Sequence, residues 1–400
     1  MRRIERHYGM DWLRIAAFAL LILYHIGMYF VPWGWHVKSP EISQWAQLPM
    51  LATNGWRLLL LFLVSGYASA ALFAKTGAVW PFLASRFVRL VVPVVFAAAL
   101  LILPQPWVEL VTQHGYSGGF LSFWLHDYFR FGTLEGIVLP TWQHLWFVVY
   151  LWHYTLAAAL VLVLPGTVRA AIGQAASRAL AGPLVVLVPV ALLALHAFVL
   201  FPDLEITHAL FDDPGAHLLY LPGFAFGWLL AGNDALWSAI RRWWKSAAAL
   251  ALAGTGAILL LVGLVVAGAA AWDERVDTLF EAIRAVQAWS VIVALIGAAD
   301  RWCNRDHPWR KPLNEAVYPA YIIHQTIIVV VGFWLLGTGV GAWSAFAILL
   351  AATALGCWLF YRVGREVPGL RLLIGLTGWR AKPHDKRAAL RHEPASDVSA

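Results

Sequence analysis

The sequence predicts an all-α, polytopic helical membrane protein. Of its 400 residues, 61% are hydrophobic and only 13% are charged, and the mean hydropathy is +0.68. Apolar runs long enough to cross about 30 Å of hydrocarbon as a helix recur along the chain, each bounded by Pro, Gly, Trp or charge. A soluble chain of this length does not have this composition, so we expect a bundle of membrane-spanning helices.

We predict about ten spans in one transmembrane domain, residues 1–380, followed by a polar cytoplasmic tail, 381–400, that we expect to be disordered because it is charged and rich in Ala and Pro. The predicted spans are 11–31, 56–74, 87–104, 144–164, 183–201, 216–231, 247–271, 283–299, 317–337 and 342–362. The weakest is 216–231, which is short and interrupted by Pro222 and Gly223.

The basic residues predict the orientation, because Lys and Arg near span ends stay on the cytoplasmic side. With ten spans and both termini cytoplasmic, 23 of the 29 Lys and Arg residues lie on that side or at its edge. Arg14 lies within the first span, and the outer five are Lys38, Arg57, Arg130, Arg275 and Arg284. The net charge of +7 therefore reflects membrane topology, and we expect no nucleic-acid partner.

Other global features restrict the function less. The first apolar run is too long for a cleavable signal and has no small-residue cleavage site, so we expect the first span to be retained. Two cysteines, Cys303 and Cys357, do not suit a disulfide framework or a thiolate metal site. We therefore expect no metal cofactor, and the oligomeric state is not predicted.

The first span carries a polar stripe that an ordinary membrane helix would not need. Arg14 and His25 are eleven residues apart, which places them on one helix face about 16 Å apart along the axis. Asp11 shares that face. Such groups are costly in a membrane and mark sites or passages. Two alternatives stay open: Arg14 extends to the cytoplasmic headgroups, and His25 only hydrogen-bonds a neighbouring helix.

Five motifs in order resemble the acyltransferase-3 family of membrane acyltransferases. They are the Arg14–His25 spacing, "FLVSGY" (62–67), "RFVRLVVP" (86–93), "HLWFVVYL" (144–151) and "YPAYIIHQTII" (318–328). Within the family, "WHVKSPE" (35–41) and "EVPGLRLLIG" (366–375) most resemble the glucan biosynthesis protein C branch, which succinylates periplasmic glucans. We expect none of the appended periplasmic hydrolase-like domain that many relatives carry, so an acyl relay would finish within the membrane domain or at its loops.

The resemblance implies transfer of an acyl group, such as acetyl or succinyl, from cytoplasmic acyl-CoA to a carbohydrate hydroxyl at the cell envelope. It also implies a multi-pass protein of the bacterial inner membrane, with membrane lipids, acetyl-CoA or succinyl-CoA, and a carbohydrate acceptor as partners.

His25 is the candidate for the chemistry, since imidazole can act as base or as nucleophile near neutral pH. Arg14 is the candidate for guiding the donor towards it. Ser65 is a further catalytic candidate, because we estimate its depth to be within about a helical turn of His25. The alternative for Ser65 and Gly66 is close helix packing.

Arg86 and Arg89 are the candidates for donor binding, since guanidinium groups bind the phosphates of coenzyme A and these two share a helix face at the cytoplasmic edge. The alternative is ordinary positive-inside flanking. Tyr321 and His324 also share a face, and His324, about 10 Å deep, is a candidate for lining the donor channel.

His144 and Trp146, at the outer mouth of the fourth span, are candidates for acceptor binding; the alternative is an interfacial aromatic belt. An anionic acyl group would need a cation, and Arg57 at the outer end of the second span is one possibility.

Two other function classes stay open. A transporter or flippase for a glycan or lipid-linked substrate would show repeats or paired broken helices, and a noncatalytic scaffold would not need a deep histidine.

Overall fold

The protein is described by a computed structural model over residues 7–200 and 206–376, and regular structure in these ranges is almost entirely helical, which confirms the predicted fold class. The helices are α1 (Tyr8–Met28), α2 (Gln47–Thr76), α3 (Val79–Leu100), α4 (Pro104–Gln113), α5 (Phe120–Ser122), α6 (Trp146–Leu162), α7 (Gly166–Ala179), α8 (Leu184–Leu195), α9 (Pro214–Leu230), α10 (Asp234–Val266), α11 (Glu274–Ala298), α12 (Arg310–Leu335), α13 (Ala342–Glu366) and α14 (Pro368–Leu373). An antiparallel hairpin joins β1 (Gly132–Leu134) to β2 (Ile137–Leu139). The predicted tail, 381–400, lies outside the described residues.

Eight helical segments of the described ranges are long and apolar enough to cross a membrane: α1, α2, α3, α6, α10, α11, α12 and α13, with α6 and α11 extended by short 3-10 and π-helical turns. They match eight of the predicted spans. The predicted span 183–201 falls on α8 and its π-helical continuation, which are bent by 93° against α7 and bring the count to nine if the pair is one span. The predicted span 216–231 falls on α9, which has 17 residues. The count of ten and the cytoplasmic termini stay predictions.

The long helices run between two ends of the bundle, which we name after the ends of α1. At the Tyr8 end, the backbone N–H of Tyr8 donates to the side chain of Asn304 at 2.8 Å, and Arg241 pairs with Asp300 at 2.8 Å. At the Met28 end, segments 29–46, 101–145 and 206–213 cover the helices; there the Trp142 indole donates to the His208 carbonyl at 3.2 Å. Most of the predicted cytoplasmic basic residues within the described ranges belong to the Tyr8 end.

The centre of the bundle is α2, where the whole run 59–64 is buried. This helix lies directly against α9. A Cβ placed on Gly66 would lie 1.9 Å from the carbonyl oxygen of Phe224, and one on Gly227 would lie 1.8 Å from that of Leu63. The "SG" dipeptide of the second span therefore serves close helix packing, as small residues do in membranes.

The end of α1 is held in place by a lysine from the segment that follows it. The Lys38 ammonium donates to the carbonyl oxygens of Met28 at 2.5 Å and Trp33 at 2.8 Å. A cation at a helix C-terminus satisfies free carbonyl groups and opposes the helix dipole. Burial lowers the pKa of Lys38 to about 8. This contact fixes the last turn of α1, which carries His25.

Candidate active site

A cavity of about 1000 Å³ opens at the Met28 end of the bundle. Its walls come from α1, α2, α6 and α12 and from the covering segments at that end. Four residues singled out in the sequence line it: His25, His144, Trp146 and Tyr321. Arg57 lines it as well. The structure therefore joins the candidates for proton chemistry and acceptor binding in one site.

His25 is paired with a second histidine from α12. Its Nδ1 lies 2.7 Å from the Nε2 of His324, and the two rings are nearly parallel. The Nδ1 of His324 lies 2.7 Å from the carbonyl oxygen of Tyr321. His324 is fully buried, whereas His25 is partly exposed to the cavity. Both residues lie within apolar helices, so their contacts determine which nitrogen of each carries the proton.

These contacts define the tautomers of the pair when both rings are neutral. A carbonyl oxygen only accepts, so the Nδ1–H of His324 donates to Tyr321 and its Nε2 must accept. The Nδ1–H of His25 is then the donor to His324, and the Nε2 of His25 keeps its lone pair. That Nε2 makes no hydrogen bond to any residue of the described ranges. His25 thus presents a basic nitrogen within the cavity.

His144 is buried and is held by a network that also orders the neighbouring helices. Its Nε2 donates to the carbonyl oxygens of Tyr321 at 3.1 Å and Ile322 at 3.2 Å. The hydroxyl of Tyr321 donates back to the carbonyl of His144. The ring of His144 lies 5.1 Å from that of His324, centroid to centroid. His144 therefore braces the turn of α12 that carries His324, besides lining the cavity.

Aromatic and polar groups form the outer wall of the cavity. The Trp146 ring stacks on His208 with 4.2 Å between centroids, and burial lowers the pKa of His208. On the other side His36 Nδ1 lies 2.5 Å from the Glu109 carboxylate, and His36 Nε2 accepts from the Gln325 amide at 3.0 Å. Both nitrogens of His36 are thus engaged, so it does not offer a free base.

Ser65 lies away from this site. Arg57 contacts Tyr24, the neighbour of His25, and Ser65 is eight residues further along α2, or about 12 Å towards the Tyr8 end. It lines neither of the two cavities described here. The depth inferred from sequence places Ser65 too close to His25 because α2 begins at Gln47, nine residues before the predicted span.

A second cavity, of about 570 Å³, lies at the Tyr8 end. Four basic residues line it: Arg14, Lys75, Arg89 and Lys311. Arg14 donates to the backbone and side-chain oxygens of Asn314 on α12, and its neighbour Asp11 pairs with Arg310 at 2.5 Å. Arg14 therefore faces this cavity from α1 and is held by α12, as expected of a residue inside the bundle.

Arg86 and Arg89 occupy different surroundings although they share a turn of α3. Arg89 lines the Tyr8-end cavity, whereas Arg86 is buried and its Nε donates to the Thr155 hydroxyl on α6 at 3.3 Å. Its Nη2 is buried without a hydrogen-bond partner. Of the two predicted donor-binding residues, Arg89 therefore lines this cavity and Arg86 lies in the α3–α6 contact; donor binding by either stays a prediction.

Aromatic side chains separate the two cavities, and no residue of the described ranges lines both. The Phe18 ring lies between Arg14 and His25 on α1 and packs against Tyr321 and Phe147, with centroid distances of 5.4 Å and 6.3 Å. Tyr321 and His324 were predicted to line the donor channel, but they lie on the His25 side of this barrier. The reason is that α12 begins at Arg310, so His324 is about 21 Å from the helix start.

Sequence reasoning missed several residues of both cavities. In the sequence, Lys75 and Lys311 look like ordinary charges flanking membrane spans. They line the same cavity because the end of α2 and the start of α12 lie next to each other. His36, Glu109 and Gln325 come from three separate segments. A signal existed for Gln325, since it is a polar residue next to His324 in an apolar span.

Comparison with known proteins adds independent information. A family model described as an acyltransferase domain matches residues 7–362. Glucans biosynthesis protein C of Shigella boydii serotype 4 (strain Sb227) is 31% identical over 150 residues, which cover 37% of this chain and 36% of that protein. The protein of the same name from Escherichia coli (strain K12) is 30% identical over 150 residues, with the same shares. The chain thus aligns with about a third of the length of these relatives. No solved structure matches.

Proposed function

This chain belongs to the acyltransferase-3 family, and from that premise we propose that it is an O-acyltransferase that moves an acyl group from acyl-CoA, bound at the Tyr8 end, to a carbohydrate hydroxyl at the Met28 end. The observation that carries the proposal is the His25–His324 pair, which leaves a basic nitrogen of His25 in the Met28-end cavity. The family membership makes the protein a membrane acyltransferase; donor, acceptor and sidedness are the proposal.

The basic lining of the Tyr8-end cavity supports a phosphate-rich donor. The four basic residues Arg14, Lys75, Arg89 and Lys311 come from four different helices, α1, α2, α3 and α12, and they outnumber the two acidic residues that line the same space, Asp11 and Glu315. Phosphate groups are favourable ligands for such a cluster, and the guanidinium groups can bind them with two hydrogen bonds each. The charged nucleotide stays at this end, because charge is costly in hydrocarbon. Only the acyl-pantetheine arm would enter the bundle.

The arm must pass the aromatic barrier to reach His25. Arg14 and His25 are about 16 Å apart along α1, and Phe18 with Tyr321 fills the interval. We propose that these two rings move apart when the donor binds. A closed barrier in the absence of donor would also prevent ions from leaking between the cavities.

The chemical step needs one base and no change of oxidation state. The Nε2 of His25 accepts the proton of the acceptor hydroxyl while its oxygen attacks the thioester carbonyl carbon. The tetrahedral intermediate collapses, the C–S bond breaks, and the leaving thiolate takes the proton from His25. The products are the ester and free coenzyme A. His324 acts as a positioning residue, since its hydrogen bond fixes the tautomer and orientation of His25. Alternatively, the Nε2 of His25 first attacks the thioester carbonyl carbon and the C–S bond breaks. The acceptor hydroxyl then takes the acyl group from His25, and its proton passes to the coenzyme A thiolate.

The outer wall of the Met28-end cavity suits a neutral sugar. Trp35, Trp142 and Trp146 offer aromatic faces, and Glu109 and Gln113 offer hydrogen-bond groups. Ligand sites combine apolar walls with a few polar groups in this way. The relatives are named for glucan biosynthesis, so a glucan is the acceptor class we propose. The corresponding location would be the bacterial inner membrane, with this cavity facing the periplasm.

Labelled acyl-CoA tests the proposal against a transporter or a scaffold. Purified protein in nanodiscs is incubated with acetyl- or succinyl-CoA labelled in the acyl group and with glucose oligosaccharides. We expect label in an oligosaccharide ester and an equal amount of free coenzyme A. Absence of ester with either donor, with the oligosaccharide recovered unmodified, would contradict the proposal. Movement of unmodified oligosaccharide across a proteoliposome membrane would instead identify a flippase.

A further inference from the structure

We propose that Arg57 binds a carboxylate at the far end of the transferred acyl group, so that the enzyme selects a dicarboxylic acyl donor such as succinyl-CoA over acetyl-CoA. This inference rests on the proposed function. It assigns a specificity-determining residue that the family match does not provide. The supporting observations are the burial of Arg57, its lack of an ion pair within the described residues, and its place beside His25 on the same cavity.

Arg57 is a buried cation without a counter-ion. It is only 3% exposed, on α2 among apolar side chains, and its Nε and Nη1 are buried without a hydrogen-bond partner. It forms no ion pair with any residue of the described ranges. Buried Arg310 at the Tyr8 end differs, since it pairs with both Asp11 and Asp306, whereas buried Arg86 on α3 also lacks an ion pair in the described part of the chain but lines neither cavity. Glu109, a carboxylate on the same cavity, is taken up by His36 at 2.5 Å.

An unpaired buried guanidinium is costly, and a ligand can remove that cost. Leaving a buried charge uncompensated costs several kcal/mol in general. A carboxylate oriented towards Arg57 would supply the missing charge and accept from the free N–H groups in a charge-assisted pair. A neutral acetyl group offers neither. The oxyanion of a tetrahedral intermediate is a weaker explanation, because it exists only briefly and leaves the cation unpaired at rest.

The guanidinium is also held in a fixed orientation. Its Cζ lies 3.4 Å from the centroid of the Tyr24 ring, within the range of a cation–π contact. This contact occupies one face of the planar group, while its Nε and Nη1 have no hydrogen-bond partner among the described residues. Lysine at such a site replaces a stacked arginine only in part, since it keeps the charge but lacks the planar fork. Tyr24 thus acts as a positioning residue for Arg57.

The position of Arg57 fits a short acyl chain. Tyr24 precedes His25 in α1, and the centroids of the two rings are 6.3 Å apart. Because the Arg57 Cζ lies 3.4 Å from the Tyr24 centroid, the guanidinium is at most about 10 Å from the imidazole, and both groups line the same cavity. A carbonyl carbon placed at His25 would leave the distal carboxylate of a short dicarboxylic acyl chain close to Arg57.

The test compares two donors in four proteins: the parent, Arg57→Gln, Arg57→Lys and Arg284→Gln. Arg284 is a matched control, since it is an arginine of the same end that pairs with Glu281 at 2.5 Å and does not line the cavity. We expect the parent to prefer succinyl-CoA. Arg57→Gln should lower kcat/KM for succinyl-CoA by roughly 10- to 100-fold, the usual loss for a charged hydrogen-bonded contact, and leave that for acetyl-CoA nearly unchanged. Arg57→Lys should recover part of the loss, and Arg284→Gln should match the parent.

Each other result has a defined meaning. An equal loss with both donors would overturn the carboxylate role and make Arg57 an oxyanion-stabilising residue. A parent that uses acetyl-CoA as well as succinyl-CoA would overturn the selectivity, while the proposed function would stand. Transfer from neither donor by the parent would contradict the proposed function itself. Retained acetyl transfer by Arg57→Gln shows that the variant is folded.

Discussion

The Nδ1 of His25 lies 2.7 Å from the Nε2 of His324, and this hydrogen bond joins α1 to α12 within the bundle. Because His324 donates its other N–H to the Tyr321 carbonyl, the direction of the bond is fixed and the free nitrogen of His25 is its Nε2. In the proposed mechanism the arrangement holds the ring and its tautomer, the purpose that a carboxylate serves in catalytic triads. It does so without placing a negative charge in the membrane.

The first prediction concerns His324 as a positioning residue. Gln at this position can still accept from His25 through its side-chain oxygen, whereas Leu cannot. We therefore expect His324→Leu to lower kcat by roughly 10²-fold, within the range for losing general base catalysis, and His324→Gln to lose clearly less. The KM for acyl-CoA should change little in both. Initial-rate kinetics on purified protein provide the measurement, and equal kcat values for Gln and Leu would contradict a role through the hydrogen bond.

The second prediction separates the two arginines of α3. Arg89 lines the Tyr8-end cavity, so Arg89→Ala should raise the Kd for acyl-CoA by about 10-fold, as for loss of one charge-assisted contact. Lys311→Ala should act in the same direction. Arg86 bonds Thr155 and does not line the cavity, so Arg86→Ala should mainly lower thermal stability. Arg242→Ala, an exposed arginine on α10 that lines neither cavity, is the control.

Binding of acyl-CoA to detergent-purified variants would be measured by isothermal calorimetry, with melting followed in parallel. A Kd that is unchanged in Arg89→Ala and Lys311→Ala would remove the donor from this cavity. A larger effect of Arg86→Ala than of Arg89→Ala on the Kd, at equal stability, would reverse the assignment of the two arginines.

The third prediction concerns the contact between α2 and α9. A methyl group on Gly227 would lie 1.8 Å from the Leu63 carbonyl oxygen, so Gly227→Ala must push the helices apart. Overpacking of this kind usually costs about 1–3 kcal/mol, and the melting temperature in detergent should fall. Gly256→Ala is the matched control, since no atom lies within 4 Å of a Cβ placed there. Equal melting temperatures for the two variants would contradict the described packing.

The fourth prediction concerns sidedness. Cys303 is exposed at the Tyr8 end, and Arg275 is exposed in the first turn of α11 at the opposite end. A membrane-impermeant thiol reagent applied to spheroplasts should label an Arg275→Cys variant that lacks both natural cysteines. It should label Cys303 only after the membrane is opened. Labelling of position 275 from the cytoplasmic side alone would reverse the topology.

The sequence predicts the helices well and the contacts between them poorly. The apolar runs identify eight of the described membrane-length helices, because hydrophobic length is a local property. The start of α2 at Gln47 is hidden because the stretch "QLPMLATN" (47–54) contains a proline and three polar residues, and this displaced the expected depth of Ser65. His324 was assigned to the donor side for the same reason, since the first turns of α12 are polar.

The hydrogen-bond partners of a polar side chain depend on which helices pack together. Helix packing is a tertiary property, so a local sequence pattern does not predict it. The spacing of Arg14 and His25 predicts one shared helix face, and it is the tertiary packing that gives the two residues separate cavities. The contact of His25 with His324 joins residues 299 positions apart and has no local signal. The separation of Arg86 from Arg89 likewise depends on α6 packing against α3.

The central claim is that His25 performs the proton or acyl chemistry, and single-turnover transfer by His25→Asn tests it most directly. Purified enzyme in excess over labelled acyl-CoA is mixed with acceptor, and the rate of ester formation is followed. His153→Asn is the control, because His153 is also a histidine of a membrane helix but bonds the Val149 carbonyl of its own helix at 2.8 Å. We expect His25→Asn to bind acyl-CoA with the parental Kd and to transfer it ~10²–10⁴-fold more slowly, while His153→Asn keeps the parental rate. Transfer by His25→Asn at the parental rate would contradict the account.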